Sequence, residues 1–148
     1  MDVIKIQIEV LKMLKKEPKN IKWYADDESV SLSFNPAFFF KFSSKNYHLN
    51  LDESMKTDAF DKLIKKLQSF LNIEAVLTGD LKQLDYTNAI ILNAKDYKVY
   101  LDERYVKLFG RPKDLKFVVN PKSQFNPVLI YNHNDEFLGM ITPLRFSI

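Results

Sequence analysis

The chain has 148 residues, 46% hydrophobic and 28% charged, with a formal net charge of +3 at pH 7. That balance describes one folded domain with an ample core, and excludes a disordered or strongly polyanionic chain. With no Cys it has no disulfides, thiolate metal sites or Cys nucleophiles, and three glycines leave no room for a Gly-rich phosphate loop.

No stretch approaches the ~20 apolar residues that a membrane span needs. The opening MDVIKIQIEV alternates charge with hydrophobicity instead of forming the apolar run of a signal peptide. A soluble, cytoplasmic protein without membrane partners is expected. The mildly basic balance permits nucleic-acid contact without requiring it. Heavy use of Lys, Asn, Ile and Phe suits an AT-rich genome, such as that of a low-GC bacterium, its phage or a mobile element.

Ile4, Ile6, Ile8 and Val10 alternate with Lys5, Gln7 and Glu9, a period of two that predicts a half-buried strand. The segment EVLKMLKK (9–16) then predicts a short helix with Leu11 and Leu14 inward. Pro18 ends it, because the residue before a proline is pushed out of the helical region. Residues 21–25 read as a strand, and Asp26-Asp27-Glu28 as a polar turn. Val30, Leu32 and Phe34 alternate with serines in a second strand. Asn35-Pro36 turns into an apolar strand over 37–42, and Tyr47, Leu49 and Leu51 alternate again.

The segment MKTDAFDKLIKKLQSFL (55–71) predicts an amphipathic helix at about 57–71. Phe60, Leu63, Ile64, Leu67, Phe70 and Leu71 form one stripe, opposite Lys62, Lys65 and Lys66. Thr57 or Asp58 can cap it. A strand over 73–77, a turn-rich connection over 78–85 around Gly79 and a strand over 89–92 follow.

The opening pattern then returns. Lys98-Val99-Tyr100-Leu101 is patterned like Lys5-Ile6-Gln7-Ile8, and DERYVKLF (102–109) like EVLKMLKK. Gly110 offers a left-handed helix end, Pro112 a stop, and 115–119 a strand. Residues 128–131 and 137–142 make a hairpin around the turn formers Asn132-His133-Asn134-Asp135. EPKNIKWY (17–24) and RPKDLKFV (111–118) match in order, Lys19 with Lys113, Ile21 with Leu115 and Trp23 with Phe117. The expected architecture is α+β. One domain over 1–148 holds two strand–helix–strand–strand–strand repeats, at about 3–50 and 97–145, with the helix at about 57–71 between them.

This layout resembles one domain of a sliding clamp, the module of DNA polymerase processivity rings. The stretch YKVYLDERYVKLFGRPKDLKFVVNPKSQFNPVLIYNHNDEFLGMITPLR is similar to the last part of bacterial clamps, down to the ending Pro143-Leu144-Arg145 and the strand Asn126-Pro127-Val128-Leu129-Ile130. MDVIKIQIEVLKMLKK is similar to a clamp domain's opening. Clamp subunits carry two or three such domains, and usually no helix between the repeats.

The resemblance implies that the two short helices face duplex DNA, through Lys12, Lys15 and Lys16 in one copy and Arg104, Lys107 and Arg111 in the other. Loosely placed cations suffice for phosphate contact without base reading. Short solvent-facing helices are also Lys-rich in any soluble protein, so that reading stays open. The resemblance further implies that Pro143, Leu144 and Arg145 border a pocket for replication proteins, and that the chain assembles with itself. The alternative is a small phage or mobile-element accessory protein that binds and modulates a host protein.

The remaining polar residues give no catalytic motif and call for no cofactor or metal. Asp26-Asp27-Glu28 is a lone acidic turn, and His48 and His133 have no nucleophile in a recognisable motif beside them. A non-enzymatic binding protein is expected. PAFFFKF (36–42) could stack bases, but apolar bulk of this kind is usually core.

Overall fold

A computed structural model describes residues 1–146. The elements are α1 (Val3–Lys16), β1 (Lys22–Ala25), β2 (Ser29–Asn35), β3 (Phe38–Ser43), α2 (Ala59–Gln68), β4 (Ile73–Gln83), β5 (Asn88–Asn93) and β6 (Lys98–Asp102). They continue with α3 (Glu103–Phe109), β7 (Leu115–Val119), β8 (Val128–Asn132) and β9 (Phe137–Ile141). The domain is α+β, with nine strands in one antiparallel sheet, ordered β1-β2-β3-β9-β8-β7-β4-β5-β6. The meanders β1-β2-β3 and β7-β8-β9 meet where Phe38, Phe39 and Phe40 pair with Ile141, Met140 and Gly139. β4 carries the sheet onward by changing partner. Its first residues pair with β7, and from Val76 it pairs with β5.

The first departure from the sequence reading is at the start. Residues 4–10 are not a strand but the first half of α1. Asp2 caps it, its carboxylate accepting from the Lys5 amide at 3.0 Å. The period-two run conceals two helical stripes. Ile6 and Val10, four apart, are buried, whereas Ile4 is 68% exposed and Ile8 46%. Leu11, expected inward, lies on the outer stripe. Gln7 is the buried polar member of the inner face. Its amide nitrogen donates to the Val3 and Asn46 carbonyls (3.1 and 2.9 Å), and its oxygen accepts from the His48 amide at 2.8 Å.

That staple accounts for the second departure. Residues 47–51 form no strand, because a 3-10 turn over Ser44–Asn46 bends the chain under α1. A third concerns 78–85. β4 continues to Gln83, and Gly79, with φ +83°, sits within a bulge where the register shifts between Leu77 and Leu81. Thr78 closes the bulge, donating to the Ile91 carbonyl at 2.9 Å and accepting from the Asp80 amide at 3.1 Å. Finally, α2 spans ten residues, fewer than expected. Thr57 accepts from the Ala59 amide at 3.2 Å, and Asp58 makes no side-chain cap bond.

The two Pro turns are alike. Pro18–Asn20 and Pro112–Asp114 are each one 3-10 turn, closed by the Ile21 or Leu115 amide on the proline carbonyl. Each feeds a strand, with Ile21 just before β1 and Trp23 within it buried in one, and Leu115 and Phe117 of β7 buried in the other.

The core lies in two layers. α1 and α3 cover one face of the sheet, where Ile6, Val10, Val106 and Phe109 join Phe38, Phe40, Leu92, Leu101 and Ile130. α2 covers the other, where Phe60, Ile64 and Leu67 meet Phe39, Leu129 and Met140. The PAFFFKF run is thus buried on both faces, Phe40 against Phe109 (centroids 4.6 Å apart) and Phe39 against Phe60 (4.8 Å).

Gly139 makes the central crossing possible. It has φ +145°, and a Cβ there would overlap the Phe39 carbonyl oxygen and lie 2.8 Å from Phe109 Cε1. Gly139→Ala therefore combines backbone strain with a clash, and should cost about 3 kcal/mol. In urea denaturation this would appear as a lower midpoint at unchanged slope, and an unshifted midpoint would contradict the packing described.

Candidate nucleic-acid and partner surfaces

Because α1 and α3 share one face of the sheet, the six cations expected at DNA lie on the same side of the molecule, and all six are exposed. Four have carboxylate partners. Lys12 pairs with Glu9 at 3.3 Å, Lys107 with Glu103 at 3.4 Å, and Arg111 with Asp114 at 2.8 Å. Exposed pairs of this kind are worth about 0–1 kcal/mol, so a phosphate can compete for the cation. Lys15 and Lys16 close the last turn of α1, where positive charge suits the helix dipole.

Arg104 is held differently. Asp102 is only 2% exposed and caps α3 by accepting from the Arg104 amide at 2.9 Å. The Arg104 guanidinium returns to the same carboxylate through Nε at 3.2 Å and Nη2 at 2.8 Å, and Thr87 donates to it at 3.2 Å. The guanidinium also lies over the Tyr86 and Tyr105 rings, 5.2 and 5.6 Å from their centroids. Arg104 thus neutralises a buried carboxylate at the β6–α3 junction, a role the sequence reading did not assign. Its signal was present in Asp102 standing just before a helix, with Arg two residues on.

The tail residues separate. Pro143 is buried, Leu144 half-buried and Arg145 exposed. The Leu144 amide donates to the Tyr100 carbonyl at 2.8 Å, so the tail lies along the outer edge of β6. At the opposite edge, the Thr57 amide donates to the Trp23 carbonyl at 2.9 Å. Each edge strand of the sheet is thereby met by the chain itself. Arg145 lies over Phe125 (4.7 Å), and Leu144 lines a cavity of about 390 Å³ with Lys82, Lys98, Tyr100, Phe125 and Phe146.

The acidic turn is structural. Asp26 accepts from the Glu28 and Ser29 amides, both at 2.8 Å, and these backbone bonds hold its carboxyl below the usual range. Among the described residues no three His, Asp or Glu side chains come together as a metal site. His133 bonds the Lys113 carbonyl through Nε2 at 2.9 Å, and His48 is exposed. No helix among the described residues is long and apolar enough to cross a membrane. Comparison with protein-family models, with curated proteins and with solved structures finds no match.

Burial opposes ionisation of Asp102, but the Arg104 side chain and amide, with Thr87, outweigh it and hold the carboxyl below its ordinary value of 3.8. A carboxylate depressed on folding stabilises the fold above its unfolded pKa, and that contribution is lost as pH falls through the folded pKa. Asp102→Asn should cost about 2 kcal/mol at pH 7. The gap between wild-type and variant melting temperatures should then narrow as pH drops below about 4. A gap constant down to pH 2 would contradict the pairing.

Proposed function

We propose that this chain is a non-enzymatic binding domain with a sliding-clamp-like arrangement, acting in or on DNA replication through DNA or replication-protein contacts. The observation that carries this reading is topological. A helix, a Pro-initiated 3-10 turn and a three-strand meander occur twice, as α1-β1-β2-β3 and α3-β7-β8-β9. The two meanders abut at β3 and β9, and both helices lie on one face of the sheet. Such an arrangement supports an internal repeat, with the two helices offered together to one partner. Only the second copy has a strand, β6, ahead of its helix, and α2 is an addition on the opposite face.

On this reading Lys12, Lys15, Lys16, Lys107 and Arg111 contact phosphates without reading sequence, while Arg104 positions the start of α3. Pro143, Leu144 and Arg145 take part in partner binding at the β6 edge. A ring of several copies would use the sheet edges, and would have to accommodate the tail that already lies on Tyr100.

The second reading, an accessory protein that binds and modulates a host protein, is favoured by one feature of α1. Ile4, Ile8 and Leu11 form an exposed apolar stripe that ends at Lys15. A purely phosphate-binding helix has no use for three exposed aliphatic side chains.

Light scattering and retention on nicked circular duplex discriminate between the two. The clamp reading expects an oligomer that stays on circles, leaves linear DNA by its ends, and binds more weakly as salt rises. Reversing two charges with Lys15→Glu and Lys16→Glu should weaken duplex binding about tenfold or more at low salt. A monomer without duplex affinity at low salt would end the DNA reading and leave the protein-partner one.

A further inference from the structure

The cavity of about 390 Å³ beside the tail has an unusual lining. Lys82 comes from β4, Lys98 and Tyr100 from β6, Phe125 from the 120–127 loop, and Leu144 and Phe146 from the tail. Among the described residues no carboxylate lines it, and Arg145 lies over Phe125, one of its walls. Elsewhere on the surface several cations sit on carboxylates, as Lys12, Lys41, Lys62, Lys107, Arg111 and Lys116 do.

Here Lys82 and Arg145 sit on rings instead. Lys82 Nζ lies 4.6 Å from the Phe146 centroid and 5.7 Å from that of Tyr100, and the two rings meet edge to face at 4.9 Å. A ring face attracts an ammonium but satisfies none of its three N–H donors by a conventional acceptor, and Arg145 likewise has five. Two lysines lining the cavity, with Arg145 over the adjoining Phe125 and no paired carboxylate among the described residues, favour an anion. Tyr100, Phe125 and Phe146 favour one that also carries a flat ring. A volume at the small end of ligand sites suits one such unit, whereas the stacked bases of a duplex could not reach the rings.

We propose that this pocket binds one nucleotide of a single-stranded nucleic acid, its phosphates on Lys82, Lys98 and Arg145 and its base against the aromatic side chains. The assignment uses none of the cations on α1 and α3, and shares only Leu144 and Arg145 with the partner-binding tail of the clamp-like reading. An acidic peptide would satisfy the cations but leave the rings without a stacking partner.

Fluorescence anisotropy of the full chain with a labelled oligothymidylate at low salt tests this. Competitors are inorganic polyphosphate, which has charge without bases, and a polyglutamate peptide. Phe125→Ala should weaken oligothymidylate binding about tenfold, the loss of one stacked base, and leave polyphosphate competition unchanged. Phe125→Trp should restore it, which guards against a trivial loss of fold. Lys82→Gln with Lys98→Gln should weaken both ligands and flatten the salt dependence. Lys15→Glu with Lys16→Glu should leave oligothymidylate binding unchanged, whatever it does to duplex. The proposal is overturned by no oligothymidylate binding at low salt, by equal affinity of Phe125→Ala and wild type, or by polyglutamate competing as well as oligothymidylate.

Discussion

The pairing of β3 with β9 is the constraint on which the rest of the molecule depends. Three residue pairs join two meanders that are far apart in sequence. The same strand pair anchors both helical layers, since Phe40 reaches Phe109 of α3 on one side and Phe39 reaches Phe60 of α2 on the other. The close approach requires a residue without a side chain opposite the Phe39 carbonyl, and Gly139 provides it. A long-range pairing that joins both layers through one pair of strands raises the sequence separation of the native contacts, which slows folding.

The local grammar of the chain was legible where one residue type dictates one backbone geometry. Pro18 and Pro112 each follow a helix and start a 3-10 turn, and Ile21/Trp23 and Leu115/Phe117 turn inward at and after the turn as their spacing implies. The opening segment was misread for an equally physical reason. Over seven residues, apolar positions at every second place satisfy a strand and also two adjacent stripes of a helix. Gln7, polar yet buried, hid the inner stripe. Gly79 was read as a turn because a glycine in a bulge and a glycine in a turn leave the same trace in sequence. The α+β class came through, whereas the ends of α2 and β4 did not.

The candidate sites were legible only in part, because charge alone does not say what a cation does. Lys12, Lys107 and Arg111 stand beside carboxylates three or four residues away, and this local pairing could have been read from spacing. Arg104 bonds a side chain that only tertiary structure buries. The basic and aromatic cavity was out of reach, since its walls come from four separate segments. Some cations of this protein rest on carboxylates and others on rings, and Lys82 and Arg145, which lie on rings with no carboxylate partner among the described residues, keep their hydrogen-bonding capacity for something else.

The two helical layers are not equally secured. α1 and α3 share in a core that draws on most strands of the sheet, and Gln7 bonds α1 to the following chain as well. α2 is only ten residues long and rests on the opposite face through Phe60, Ile64 and Leu67, with irregular chain on either side. Its opening uncovers a small apolar patch on Phe39, Leu129 and Met140 while leaving the sheet and the larger core intact. Small packed area and short length make α2 the element from which local opening at less than the cost of global unfolding is expected.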